Sequence, residues 1–79
     1  MTISRNLEQF SAQDALGLFR STHVALQQSN LSDSEITELE SVKVAAVARI
    51  KAACAGAPND LTYFRSQVHH MDYRAWPKA

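Results

Sequence analysis

The sequence predicts an all-α fold, a small three-helix domain, and three observations support this prediction. N-capping motifs begin at Ser11 and Ser32, each ahead of a long segment with helical periodicity. Pro58 and Pro77 divide the second half of the chain, because a helix does not continue through a proline. No stretch alternates apolar and polar residues as a half-buried strand does. We therefore expect one helical domain over residues 1–79, with a helical hairpin followed by a C-terminal helix.

The first helix is predicted over about residues 12–29. Ser11 and Asp14 have the spacing of an N-cap. Gly17 lies opposite the apolar face, where its cost is only its low helix propensity. The preceding residues 4–10 are compatible with a short extra turn or helix over one end of the domain. The predicted apolar face consists of Ala12, Ala15, Leu16, Phe19, Thr22, His23 and Leu26.

The second helix is predicted over about residues 33–54 and has the clearest end signals. Ser32 and Glu35 have the spacing of a capping box. Gly56 is expected to take the left-handed conformation after the last turn, and Pro58 to prevent continuation. The short loop between the first two helices makes them antiparallel neighbours.

The third helix is predicted over about residues 60–75. Asn59 or Asp60 can cap its start, and Pro77 stops it. One narrow apolar stripe is expected to face the core. It consists of Leu61, Phe64, Val68, Met71 and Ala75.

The second helix is apolar on two faces, which normally indicates burial on both sides. Two neighbouring helices could each cover one side, or the helix could pair with a copy of itself. We favour a homodimer, because the 79 residues include twelve alanines that each bury little area. The main stripe is Ile36, Leu39, Val42, Ala46, Val47, Ile50 and Ala53, with Cys54 at its edge; the predicted self-association face is Val44, Ala45, Ala48 and Ala52.

The net charge is zero, but the two halves of the chain differ in sign. Residues 1–40 carry two basic and six acidic residues, whereas residues 41–79 carry six basic and two acidic ones. This polarity favours a head-to-tail or antiparallel protein contact over nonspecific nucleic-acid binding, which needs a basic excess.

A reducing cytoplasmic location is the simplest interpretation of the remaining composition. Cys54 is the only cysteine, so neither an intramolecular disulfide nor a cysteine zinc site is expected. The start of the chain lacks the pattern of a signal peptide. The most apolar stretch, residues 44–54, is interrupted by Arg49 and Lys51 and is too short to span a bilayer.

Side chains that could perform chemistry are sparse, so no catalytic residue, metal or cofactor is predicted. His69 and His70 are adjacent and would point about 100° apart on a helix, which does not suit one metal ion. Cys54 is expected to be a small core residue, and His23 a core-edge histidine with one hydrogen bond. Two glycines cannot build a phosphate-binding loop, and an enzyme is therefore not expected.

Lys43 falls inside the main apolar stripe of the second helix. We expect it to lie over the stripe and extend its ammonium into water. The alternative is an ion pair with a carboxylate of the first helix, of a second subunit or of a partner.

The stretch QVHHMDYRAW, residues 67–76, has an unusual density of aromatic and histidine side chains. Tyr73 and Trp76 are predicted to project away from the core stripe, with Arg74 and His70 beside them. An aromatic pair next to an arginine has the composition of an interface hot spot. The alternative is that Trp76 folds back as a lid on the core. We favour the contact surface.

These observations predict a small cytoplasmic protein that acts by binding another protein, as a regulator, inhibitor or adaptor. The alternative is a small DNA-binding transcriptional regulator that uses the third helix. The polar side chains available for DNA on that helix are Arg65, Gln67, His69, His70 and Arg74. The acidic residues 33–40 and the length of the second helix argue against this alternative.

Overall fold

The computed structural model describes residues 8–77, and the predicted all-α fold is confirmed. It contains helices α1 (Ala12–Ala25), α2 (Asp33–Ala53) and α3 (Pro58–Met71), and no strand is present within residues 8–77. The extra turn or helix predicted over residues 4–10 falls mostly outside the described residues. Of that stretch, Glu8 and Gln9 form a turn.

Helices α1 and α2 begin with complete capping boxes, as predicted. The Ser11 hydroxyl accepts from the Asp14 amide at 3.1 Å, and the Ser32 hydroxyl accepts from the Glu35 amide at 3.2 Å. The Asp14 and Glu35 carboxylates accept in return from the Ser11 and Ser32 amides. These bonds to Ser32 hold the pKa of Glu35 below its usual value, because they favour the charged carboxylate. Each box satisfies two amide groups that the helix itself cannot.

The predicted end of α1 is too late, because the helix stops at Ala25 rather than near residue 29. Leu26 is the C-cap, and a turn follows it in which the Gln27 amide donates to the Val24 carbonyl at 3.0 Å. The Thr22 hydroxyl also donates to the Leu18 carbonyl at 2.8 Å. The bond from Gln27 satisfies one of the last carbonyls of the helix, whereas the bond from Thr22 adds a side-chain donor to a carbonyl within it, a pattern that slightly destabilises helices.

The turn between α2 and α3 differs from the prediction in two respects. Gly56 does not take the left-handed conformation, since no residue within 8–77 has a positive φ. The turn closes instead through a bond from the Ala57 amide to the Cys54 carbonyl at 3.0 Å. Neither Asn59 nor Asp60 caps α3. Ala57 is the N-cap, and Pro58 occupies the first turn, where its missing N–H needs no partner.

Helix α3 ends at Met71, four residues before the predicted end. Asp72 leaves the helical conformation with φ −153° and ψ 95°. Its carboxylate receives a hydrogen bond from Lys43 at 2.6 Å and another from the Arg74 amide at 3.2 Å. The helix therefore ends before Pro77, at a residue held both by a tertiary contact and by a local turn.

Helix α1 packs strongly against α2 in the antiparallel direction. The Phe10 carbonyl before α1 accepts from Arg49 Nε at 2.8 Å, whereas His23 near the end of α1 contacts Lys43, closer to the start of α2. The predicted apolar faces of all three helices supply the core, but Ile36 and Ala53, predicted as part of the main stripe of α2, are exposed near its two ends. The buried members of the core are Ala15, Leu16, Phe19, Ala46, Val47, Ile50, Cys54, Val68 and Trp76, with Leu61, Phe64, Met71 and Ala75 packed against them.

After α3 the chain reverses and returns along α2. Asp72 lies at Lys43, and four residues later the Trp76 ring lies 5.2 Å from the Lys51 ammonium. The Trp76 carbonyl is 3.3 Å from His69 Nδ1, and this contact links the returning segment to α3. The final residues described thus form a strap across the core.

Candidate functional site

Helix α2 has an inner face against the core and an outer face without cover from residues 8–77. The outer face extends the predicted self-association surface toward the start of the helix. Val44 at its centre is 71% exposed, Ala48 and Ala52 are exposed, and Ala45 is half-buried. Both neighbouring helices contact the inner side, so residues 8–77 do not provide the two-sided burial expected for α2. The outer face consists of Thr37, Ser41, Val44, Ala45, Ala48 and Ala52.

Charged residues border the outer face on both edges. Glu40 and Lys51 share one edge, and Glu38 and Arg49 share the other, because residues eleven apart are about three helical turns apart. The two glutamates and Lys51 are exposed, and Arg49 is half-buried. Each edge therefore has an acidic residue in the first half of α2 and a basic residue in the second half.

Two depressions meet beside Val44. One, of 430 Å³, runs along the start of the outer face and is lined by Ile36, Thr37, Glu40, Ser41 and Val44. The other, of 230 Å³, lies between α2 and the C-terminal return and is lined by Glu40, Lys43, Val44, Val47, Arg74 and Ala75. Glu40 and Val44 belong to both, so the outer face and the C-terminal return form a continuous surface.

The predicted partner-binding residues do not all reach the surface. Tyr73 is 65% exposed, and Arg74 and His70 are exposed. Trp76 is only 8% exposed and belongs to the core, so the prediction that it projects outward is wrong. Because Asp72 ends α3, Trp76 does not continue the helix and turns back onto the core. We call His70, Tyr73 and Arg74 the C-terminal patch.

Lys43 lies on the inner face and is buried, with 6% exposure, so the prediction of an ammonium extended into water is wrong. Its Nζ donates to Asp72 Oδ2 at 2.6 Å and lies 3.2 Å from His23 Nδ1. The ammonium also lies 5.1 Å from the centre of the Phe19 ring, which offers the negative face of its π system. The ion pair considered as the alternative is present, but its carboxylate comes from the end of α3 and not from α1.

The hydrogen bond from Lys43 lowers the pKa of Asp72, because it stabilises the charged carboxylate, and partial burial opposes this effect. On the other side, Lys43 can only donate, so His23 Nδ1 accepts this bond. Gln27 Nε2 lies 3.3 Å from the other ring nitrogen and is also a donor. An imidazole has at most one accepting nitrogen, so the two contacts are not both hydrogen bonds. His23 is therefore a core-edge histidine with one hydrogen bond, as predicted.

The remaining candidates for chemistry have structural surroundings. Cys54 is a buried core residue, as predicted, and burial together with the charge of Asp60 raises the pKa of its thiol. Within residues 8–77, no three His, Cys, Asp or Glu side chains lie close enough together to hold a metal ion. His69 is half-buried and its Nδ1 faces the Trp76 carbonyl.

The surface available for DNA on α3 is smaller than the sequence indicated. Arg65, Gln67 and His69 are half-buried, which leaves His70 and Arg74 exposed among the five predicted side chains. The acidic residues Glu35, Glu38 and Glu40 on α2 are all exposed. Across residues 8–77, no helix combines the length and apolarity required to cross a membrane.

Comparison with protein-family models, with curated proteins and with solved structures gives no match to this chain.

Proposed function

We propose that this protein acts by binding another protein, as a regulator, inhibitor or adaptor without catalysis of its own, and that the C-terminal patch is its contact surface. One observation carries the proposal: Tyr73 and Arg74 are exposed between two anchored residues. Asp72 on one side is held by Lys43, and Trp76 on the other side is buried in the core. The segment is therefore held in place before any partner arrives.

This arrangement favours binding for a general reason. An interface loses affinity when it must order flexible side chains and loops, so a preformed loop loses less. Tyrosine and arginine are also the residue types enriched at interface hot spots. The adjacent depression beside Val44 and Val47 offers apolar walls, with Glu40 and Arg74 at its rim for polar contacts. A partner that inserts one apolar side chain there would contact Tyr73 and Arg74 as well.

We further propose a cytoplasmic location. The single cysteine is buried and forms no disulfide within the chain, which is typical of proteins in a reducing compartment.

The test compares three immobilised baits in an extract of the source cells: the wild type, Tyr73→Ala and Tyr63→Ala. Tyr63 is a matched control, an exposed tyrosine on α3 outside the patch. We expect a protein retained by the wild type and by Tyr63→Ala and lost from Tyr73→Ala. With the purified partner, Tyr73→Ala should weaken affinity about thirtyfold or more. Equal retention of every captured protein by all three baits would contradict the proposal.

A titration of labelled mixed-sequence duplex DNA at low salt tests the alternative, a DNA-binding regulator that uses α3. We expect no binding in the micromolar range. Binding at micromolar concentration or tighter that weakens steeply with added salt, and that Arg74→Ala reduces, would replace protein binding with DNA binding as the proposed function.

A further inference from the structure

We propose that two copies of this chain pair through the outer face of α2 in antiparallel orientation, with the symmetry axis passing between Val44 and Ala45. This inference goes beyond the proposed function, because it does not depend on the identity of a partner, although the outer face shares Glu40 and Val44 with the depression beside the C-terminal patch.

The outer face has the chemistry of a helix–helix contact. Val44 is the most exposed large apolar side chain described, and it lies in the middle of the longest helix. Thr37, Ser41, Val44 and Ala48 follow one another at intervals of four, three and four residues, which is the spacing of a coiled-coil seam. Because the seam residues are small, two helix backbones can approach closely along it.

The charged edges select a second copy of this chain as the occupant. In an antiparallel pair, each edge of one helix lies beside the same edge of its copy, running in the opposite direction. Glu40 then lies across from Lys51 of the second copy, and Glu38 lies across from Arg49 of the second copy. In this orientation, each edge places an acidic residue of one copy beside a basic residue of the other copy.

The same charges exclude the parallel orientation. There, the acidic first half of α2 would lie beside the acidic first half of its copy, and the basic second halves would also meet. Exposed ion pairs are individually weak, whereas like charges held side by side are unfavourable. The edges therefore determine the direction of pairing, and the buried apolar surface of the outer face provides the attraction.

Small side chains surround the centre of this contact. Because each edge lies beside the same edge of its copy, Val44 lies next to Val44 of the second copy, on the side of Glu40 and Lys51. Near the midline of the face, positions equally far from the axis meet, so Ser41 faces Ala48 and Thr37 faces Ala52. The two valines thus supply an apolar contact at the centre, and the alanines allow close approach on either side of it.

Cysteine crosslinking tests this arrangement with two single variants, Thr37→Cys and Ala52→Cys, both at exposed positions. In the antiparallel pair, each new cysteine lies about 22 Å along the axis from its own copy, too far for a disulfide. We therefore expect no oxidised dimer from either variant alone and an efficient crosslink when the two are mixed. The wild type is the control, because Cys54 is buried.

A third variant confirms that the crosslink comes from this face. Ala48→Glu, added to both cysteine variants, should abolish the mixed crosslink, since a carboxylate would enter an apolar contact. Crosslinking of each cysteine variant with itself would overturn the antiparallel arrangement. Absence of any crosslink, with sedimentation of the wild type as a monomer at high micromolar concentration, would overturn pairing altogether. Neither result would affect the binding of another protein by the C-terminal patch, which the Tyr73→Ala bait tests separately.

Discussion

The two faces of α2 differ most sharply at consecutive residues. Lys43, on the inner face, is buried, whereas Val44, on the outer face, is among the most exposed apolar side chains described. A lysine is rarely buried and a valine often is, so both residues reverse the usual distribution. Burial here depends on the position around the helix more than on residue type. The buried lysine and the exposed valine therefore each need a physical explanation.

The inner exception is explained within the chain. Lys43 has the Asp72 carboxylate, the His23 nitrogen and the Phe19 ring around its ammonium, so its burial is compensated. The exposure of Val44 has no such explanation among residues 8–77. An uncovered valine in the middle of the longest helix gains nothing for the isolated chain, and pairing with a second copy would supply its cover.

The largest loss of stability should come from replacing Trp76, the core residue of the C-terminal return. Trp76→Ala is expected to lower the free energy of unfolding by about 3–5 kcal/mol, because it leaves a cavity in the core. Tyr73→Ala, three residues earlier and exposed, is the matched control and should leave the thermal melt nearly unchanged. A melt of Trp76→Ala that coincides with the wild type would show that the strap is not part of the core.

The next effect should come from breaking the buried ion pair at one partner. Asp72→Ala is expected to cost about 3 kcal/mol, because the buried Lys43 side chain would lose its carboxylate partner. Lys43→Met should cost less, about 1 kcal/mol, since it fills similar space and Asp72 is near enough to the surface to be hydrated. Urea denaturation measures both. Equal costs for the two variants would contradict this account of Lys43 burial.

The same ion pair should also make the stability of the fold depend on pH, with a smaller effect. The pKa of Asp72 in the folded protein is below the ordinary value of 3.8, so its ionised form stabilises the folded state. This stabilisation is fully present above the ordinary value and is lost as pH falls through the lowered one. The difference in stability between the wild type and Asp72→Asn should therefore be constant near neutral pH and shrink below about pH 4. A difference that grew on acidification would contradict the direction of the shift.

Much of the fold was readable from the sequence because its signals are local. The capping boxes at Ser11 and Ser32 lie within four residues, and the apolar faces repeat at the helical period. Those signals gave the three helices, the start of α1 and both bounds of α2 to within a residue.

The details that were missed depend on contacts between residues far apart in sequence. Lys43 stands out in the sequence as a charged residue in an apolar stripe, but its carboxylate partner is 29 residues away. The same aspartate is the C-cap of α3, and the residues after it return Trp76 to the core, so the wrong predictions for Lys43, for the end of α3 and for Trp76 all lie around this contact. Gly56 was misjudged for a different reason, since the chain has an alternative turn that does not need a left-handed residue.

The smallest expected change in stability is on the outer face. Val44→Asp should alter the free energy of unfolding of the monomer by less than about 0.5 kcal/mol, because the side chain is exposed and its contacts are few. The matched change on the inner face, Val47→Asp, should be severely destabilising, because Val47 is buried. Similar stability of the two variants would remove the distinction between the faces.

Sedimentation velocity of the wild type and of Val44→Asp, over low to high micromolar concentration, tests most directly whether the outer face is a contact surface. We predict that the wild type shifts from monomer to dimer as its concentration rises. Val44→Asp should remain a monomer throughout, and its thermal melt should match that of the wild type at low concentrations, where both are monomers. A wild type that sediments as a monomer at every concentration, or a Val44→Asp variant that dimerises as the wild type does, would contradict the account.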